Sequence, residues 1–218
     1  MTPGEPLIRW DWLARNLPVV GQRLLEHIQL TVIAVALGFL ISFVISILIA
    51  RRSSIYGPVT WITGVMYTIP SLALFALLVP ITGLSLLTAE IGLVSYTLLI
   101  LIRGIVSGIR SVPQDVRDAA IGMGYGPWKL LWRVELPLAS VVIIAAVRVA
   151  TITTIGLTTV TALIGQGGLG ALILEGIQRF FSTPLIVGAL LSIALAVLVD
   201  AGLALLQRWL TPWARARG

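Results

Sequence analysis

Few residues of this 218-residue chain could make or break bonds. It has no cysteine and one histidine, His27, which excludes thiolate nucleophiles, disulfides and cysteine-held metals. His27 has no second histidine, cysteine or aspartate near it in sequence, so it reads as an interfacial polar residue rather than a metal ligand. The run GQGGLG, Gly165 to Gly170, has the glycine content of a phosphate-cradling loop. It lacks the Lys-Ser/Thr ending and follows an apolar segment, so it reads as a tight turn that lets backbones approach. Arg103, Arg148 and Asp200 fall in or beside apolar runs, where an unpaired charge is expensive. Pairing between helices or snorkelling to the headgroups is the favoured reading, since Arg103 lies within two turns of a span end. A membrane-embedded enzyme would need converging acid, base or metal groups, and Asp200 with a peripheral His27 is too thin a set.

The stretch that stands out instead is DAAIGMGYGPWKLLWRVELP, Asp118 to Pro137. Ser111 before Val112-Pro113 is a plausible helix start, with Asp115 and Asp118 near the positive end of the helix that follows. Val116, Ala119, Ala120 and Met123 recur at i, i+3, i+4 and i+7 and form one small-centred face. Gly122, Gly124 and Gly126 weaken or end that helix, and a second short one can begin at Pro127. Leu136-Pro137 marks a boundary, because proline lacks an N–H and restricts its predecessor. The expected product is a helix-turn-helix knuckle. Spacing alone leaves two readings open: an amphipathic connector lying on lipid, or a docking knob for a partner.

The elements that must position this knuckle are membrane spans. The chain is 58% hydrophobic and 11% charged, outside the balance of soluble domains. Apolar runs of roughly 20 residues argue for helices, and the alternation of a barrel is missing. Five spans are expected: Leu30 to Ala50, Val59 to Pro80, Ile91 to Ile109, Leu138 to Ile164, and Pro184 to Leu206. The first is longer than a signal-peptide core and lacks a cleavage pattern, so it reads as a retained anchor. Gly156 within TITTIGLTTV offers the fourth a place to bend. Ahead of them, IRWDWLARNLPVVGQRLLEHIQL is interrupted by Pro18 and Gly21 and is expected to form short interfacial helices.

The net charge of +6 does not point to nucleic acid, because the basic residues flank spans and report topology. If the first span runs outside to inside, Arg51, Arg52, Arg110, Arg117, Lys129, Arg133, Arg208, Arg215 and Arg217 lie in the cytoplasm, nine of the fifteen Lys and Arg. Arg9, Arg15, Arg23 and Arg179 then lie outside. All seven tryptophans, Trp10, Trp12, Trp61, Trp128, Trp132, Trp209 and Trp213, fall near span ends, where their rings can straddle the interface.

With the motif on the basic side, the chain resembles permease subunits of ABC importers. These carry Glu-Ala-Ala, three residues, Gly, nine residues, Ile, any residue, Leu-Pro. Here Asp118, Ala119, Ala120, Gly124, Val134, Leu136 and Pro137 stand at the matching intervals, with Asp for Glu and Val for Ile. The stretches YTIPSLALFALLVPITG, LILIRGIVSGIRSVPQDVRDAAIGMGYG and ALIGQGGLGALILEGI extend the likeness. It looks closest to the osmoprotectant permeases for glycine betaine, carnitine and choline, with methionine-importer permeases as relatives.

The resemblance implies an all-α, polytopic fold of about five transmembrane helices with a cytoplasmic coupling-helix loop, like a type I importer. It implies an N-terminal interfacial segment (1–29), a transmembrane permease domain (30–207, coupling loop 111–137) and a cytoplasmic tail (208–218), in a bacterial or archaeal plasma membrane. No Walker-type sequence occurs, so ATP and magnesium are expected on separate cytoplasmic ATP-binding subunits and no cofactor on this chain. The other expected partners are a second permease subunit, the same or a sister chain, an extracytoplasmic substrate-binding protein and membrane lipid. The resemblance places GQGGLG near the outer gate. A trimethylammonium substrate calls for aromatic faces, which makes Tyr67 and Tyr96 candidate lining residues.

Overall fold

In the computed structural model, residues 6–212 are described. Trp213, Arg215, Arg217 and most of the expected tail lie outside the described residues. Every regular element among the described residues is helical. The first, α1 (Trp10–Arg51), is 42 residues long, about 63 Å at 1.5 Å per residue and twice the hydrocarbon thickness. Short interfacial helices were the expectation for its first part, yet α1 runs through Pro18 and Gly21 unbroken. Packing replaces the hydrogen bond that Pro18 cannot make. Val20 is buried against Leu169 and Leu172, and Trp12 meets Phe181 edge-on with ring centroids 5.7 Å apart.

The expected second span is two helices, α2 (Tyr56–Thr68) and α3 (Ser71–Thr82), bent by 96° at their junction. Pro70 drives Ile69 out of the helical region to φ −64°, ψ 126°, as the residue before proline is driven. The Ile69 carbonyl then accepts the Tyr96 hydroxyl. Next comes α4 (Leu86–Arg110), whose Ser85 cap accepts from the Thr88 N–H.

After the loop that follows α4, α7 (Leu136–Thr158) passes Gly156 without interruption. It ends six residues before the expected Ile164, and a 3₁₀ turn covers Val160–Ile164. A short helix not expected from the sequence, α8 (Leu169–Gln178), precedes α9 (Ser182–Leu210), which runs past the 207/208 boundary. Among the described residues, four helices are long and apolar enough to cross a membrane, or five if the bent pair is one span.

The hub is α4, and small residues seat its neighbours. Along α1 the buried stripe is His27, Thr31, Ala34, Gly38, Ser42, Ser46 and Ile49, the spacing of one helix face. A Cβ on Gly38 would lie 1.9 Å from Thr97 Oγ1, and one on Gly104 would lie 2.2 Å from Ala146 Cβ. Lipid supplies no hydrophobic drive between helices, so such close approach is what holds them. The two ends of the bundle differ chemically. Arg51, Arg110, Arg117 and Lys129 gather with the loop at one end. Arg9, α8 and the start of α9 meet at the other, where the Arg9 N–H donates to Thr183 Oγ1 at 2.9 Å.

Candidate coupling site

The loop opens as α4 ends. Ser111, the expected helix start, closes α4 instead, its hydroxyl donating to the Gly108 carbonyl at 2.8 Å. Pro113 takes the N-cap position of α5 (Gln114–Gly122), with Asp115 in the first turn, where a carboxylate suits the helix dipole. The expected single face is split. Ala120 is 2% exposed and Val116 half-buried, whereas Ala119 is exposed and Met123 is 69% exposed. Successive residues turn by 100°, so a helix lying flat on a bundle buries 116 and 120 while 119 rolls toward solvent, and Met123 lies past the last residue of α5, Gly122. Asp118 is exposed as well. It accepts Gln114 Nε2 at 2.9 Å, and no ion pair engages it among the described residues.

Gly124 sets the turn. Its N–H donates to the Ile121 carbonyl at 2.9 Å, and the Tyr125 N–H reaches back to Ala120 at 3.1 Å, a helix-ending arrangement that wants a left-handed residue. Gly124 has φ +80°, and a Cβ there would meet nothing within 4 Å. Backbone conformation, not space, requires the glycine. From Pro127 the chain climbs as α6 (Pro127–Leu130), a π-helical turn (Leu131–Glu135) and α7. The expected boundary at Leu136-Pro137 is therefore not a break. The wider π turn stands where the Pro137 ring would otherwise crowd the preceding turn. Leu136 packs against the buried cluster of Ile105, Ile109, Leu131, Ala139 and Ile143, Val134 is half-buried and Pro137 is exposed. The seven motif residues thus divide, with Asp118, Ala119, Gly124 and Pro137 turned out and Ala120, Val134 and Leu136 turned in.

Three residues at this site have no signal in sequence spacing. Arg51 Nη2 donates to the Pro127 carbonyl at 3.0 Å, and its guanidinium lies 4.0 Å from the centre of the Trp128 ring. Arg117 turns inward to Glu135, 3.2 Å away. Their partners come from other elements, 18 to 77 positions distant, which no periodicity encodes. No group of three or more acidic or histidine side chains that could hold a metal occurs among the described residues.

Tyr67 and Tyr96 come together as an edge-on pair with centroids 5.7 Å apart. Tyr67 is 38% exposed, and Tyr96 is buried with its hydroxyl on Ile69. Arg148 and Asp200 form a two-pronged ion pair between α7 and α9, at 2.8 and 3.0 Å, which is the inter-helix pairing expected. Arg103 is exposed on α4.

At the opposite end of the molecule the glycine run is gripped by α1. Glu26 accepts the Gly168 N–H at 3.0 Å and His27 Nδ1 accepts the Leu169 N–H at 3.2 Å, so two adjacent α1 residues satisfy the free donors that open α8. With Nδ1 accepting, Nε2 carries the proton and donates to the Ile155 carbonyl at 3.0 Å, at the C-terminal turn of α7. His27 is wholly buried, not interfacial. A Cβ on Gly170 would lie 2.0 Å from the Thr159 carbonyl oxygen, a backbone atom that cannot swing away. Gly170→Ala is therefore expected to destabilise the fold by about 1–3 kcal/mol, read as a lower melting temperature of the detergent-extracted protein.

Residues 23–212 match the family described as binding-protein-dependent transport system inner membrane component. The choline transport system permease protein OpuBB of Bacillus subtilis is 36% identical, the match covering 86% of each chain. The osmoprotectant import permease protein OsmW of Salmonella typhimurium is also 36% identical, over 86% of this chain and 89% of its own. The glycine betaine/carnitine/choline permease protein OpuCD of B. subtilis is 34% identical over 95% and 91%. Among solved structures, the inward-facing MetNI methionine ABC transporter superposes with a TM-score of 0.79 at 20% identity, covering 89% of this chain and 97% of that one, a likeness of fold. The bundle of apolar helices, its exposed loop and these matches over most of the chain lead to one assignment: the chain belongs to the family of binding-protein-dependent transport system inner membrane components.

Proposed function

We propose that the chain is the membrane-spanning permease subunit of an ATP-driven importer for osmoprotectants such as glycine betaine, carnitine or choline. The observation that carries the reading is the exposed Asp118-Ala119 surface of α5, standing at the basic end of the bundle and turned out by Gly124. Choline and glycine betaine appear in the names of relatives that share a third of its residues. Each α5 seats in a groove of a cytoplasmic ATPase subunit, which binds ATP and magnesium. Closure of two such subunits moves two loops, and the attached spans of this chain and a second permease subunit swing between outward and inward access. Solute selection rests with an extracytoplasmic binding protein, and this chain itself catalyses no covalent step.

The test is to co-express the chain with an ATPase, reconstitute it and follow labelled betaine, carnitine, choline and methionine. ATP-dependent uptake of one of the first three supports the proposal. Uptake of methionine alone replaces the substrate class, and uptake that persists without the ATPase makes the chain a carrier. On this reading the exposed Tyr67 faces the solute. Tyr67→Ala is expected to weaken half-saturation by about threefold to tenfold, the scale of one cation–π contact, and unchanged uptake kinetics removes Tyr67 from the path. Tyr96→Phe separates ring from hydroxyl, since it keeps the aromatic pair and frees the Ile69 carbonyl.

A further inference from the structure

We propose that Arg117 is the strut that makes the coupling loop rigid: a positioning residue through which displacement of α5 reaches α4 and α7. The inference rests on the coupling reading above. Among the described residues, apolar packing braces α5 only through Ala120 and the half-buried Val116. The helix is nine residues long, with Ala120 its one buried residue, and a helix of that length does not hold itself in water. Behind it, beside the contact made by Ala120, lies a cavity of about 180 Å³ with a mixed lining, Arg117, Glu135, Arg110 and Ser46 on its polar side and Ile49 and Val106 on its apolar side. Ser46 is wholly buried there without a hydrogen-bond partner. A push on α5 would meet soft space unless something spans it.

Arg117 spans it. One guanidinium nitrogen, Nη2, donates to the Ile109 carbonyl at 2.6 Å, in the last turn of α4, where the dipole favours a cation. Another, Nε, lies 3.2 Å from Glu135 Oε1, an ion pair without hydrogen-bond alignment. Glu135 closes the π turn that leads into α7. The two side chains are 23% and 12% exposed, so water competes weakly for the pair. One planar, forked cation therefore ties α5 to the two spans that flank the loop, which a lysine with a single point charge does less well. Asp118, one residue on, points to solvent. Docking and bracing are thus assigned to adjacent residues on different faces.

The experiment compares four variants of the chain, Asp118→Lys among them, each combined with its ATPase for reconstitution in proteoliposomes, and reads two quantities: ATPase retained on purification and solute moved per ATP hydrolysed. Arg117→Ala is expected to keep the ATPase and lower solute per ATP by about threefold to tenfold, with Arg117→Lys in between. The chain has no cysteine, so Arg117→Cys with Glu135→Cys can be bridged specifically by a short bifunctional thiol reagent. Bridging should restore the ratio that the unbridged pair loses. If Arg117→Ala leaves the ratio unchanged while Asp118→Lys destroys assembly, the strut is wrong and the coupling reading stands. If Arg117→Ala loses the ATPase, Arg117 is a docking residue and the strut is again overturned. If neither variant changes either quantity, the coupling reading itself fails.

Discussion

Asp118→Lys is expected to abolish copurification of the ATPase and to lower uptake by more than about tenfold, while the permease still folds. The prediction follows from exposure. Asp118 has no ion-pair partner among the described residues and touches only the neighbouring Gln114 amide within its own helix, so reversing its charge disturbs nothing in the bundle. What changes is the face offered to the partner, where one buried charged contact commonly carries several kcal/mol. Gly124→Val tests the same surface through the backbone. A left-handed conformation at φ +80° costs a residue with a Cβ about 1–2 kcal/mol, more when it is β-branched. The turn is expected to reopen and the Asp118 face to tilt, with uptake lost although no side chain at the docking surface has been altered. Size-exclusion chromatography and helical content checked beside uptake decide the matter, since misfolded protein would show in both.

His27→Ala is expected to be the most destabilising single change at the end of the bundle that holds α8, by about 3–5 kcal/mol. Three losses combine. A fully buried ring leaves a cavity, and the Leu169 N–H and the Ile155 carbonyl each lose the partner that the imidazole supplies at 3.2 and 3.0 Å. Both groups sit at helix ends, where no intrahelical bond replaces the one removed. His27→Gln is expected to recover part of the loss, because its amide can donate to one group and accept from the other. Thermal unfolding in detergent measures both, and equal stability of the alanine variant and the parent would show that the clamp does not hold α1 to α7 and α8.

The candidate coupling site is legible in the sequence to a degree that can be traced residue by residue. The three glycines 122, 124 and 126 mark the helix end by residue type, and a local backbone rule accounts for the turn, although the structure alone puts it at Gly124. Pro127 at a helix start is equally local. Ser111 misled, because a serine can cap the helix ahead or bond back to a carbonyl behind, and the choice depends on where Gly108 already stands. Pro70 lay unread inside an apolar run that has ample length for one span. Hydropathy counts residues and does not see a bend that is stabilised when a tyrosine 27 positions away satisfies the freed carbonyl. Pro18 failed in the opposite direction, since a helix break predicted from proline was overridden by packing on α8 and α9.

Taken alone, the chain determined its class: apolar runs of bilayer length, basic residues gathered on one side and a spaced motif between two spans. Those features follow from solvent and short-range backbone geometry, which act on each segment independently of the rest. Only the tertiary structure decided which residues of the motif face out, that Arg117 and Glu135 meet, and that Glu26 and His27 grip a glycine turn 142 positions away. Such pairings satisfy polar groups left over at helix ends. The partner that does so is set by which ends the packed helices bring together, a property of the assembled bundle rather than of any stretch within it.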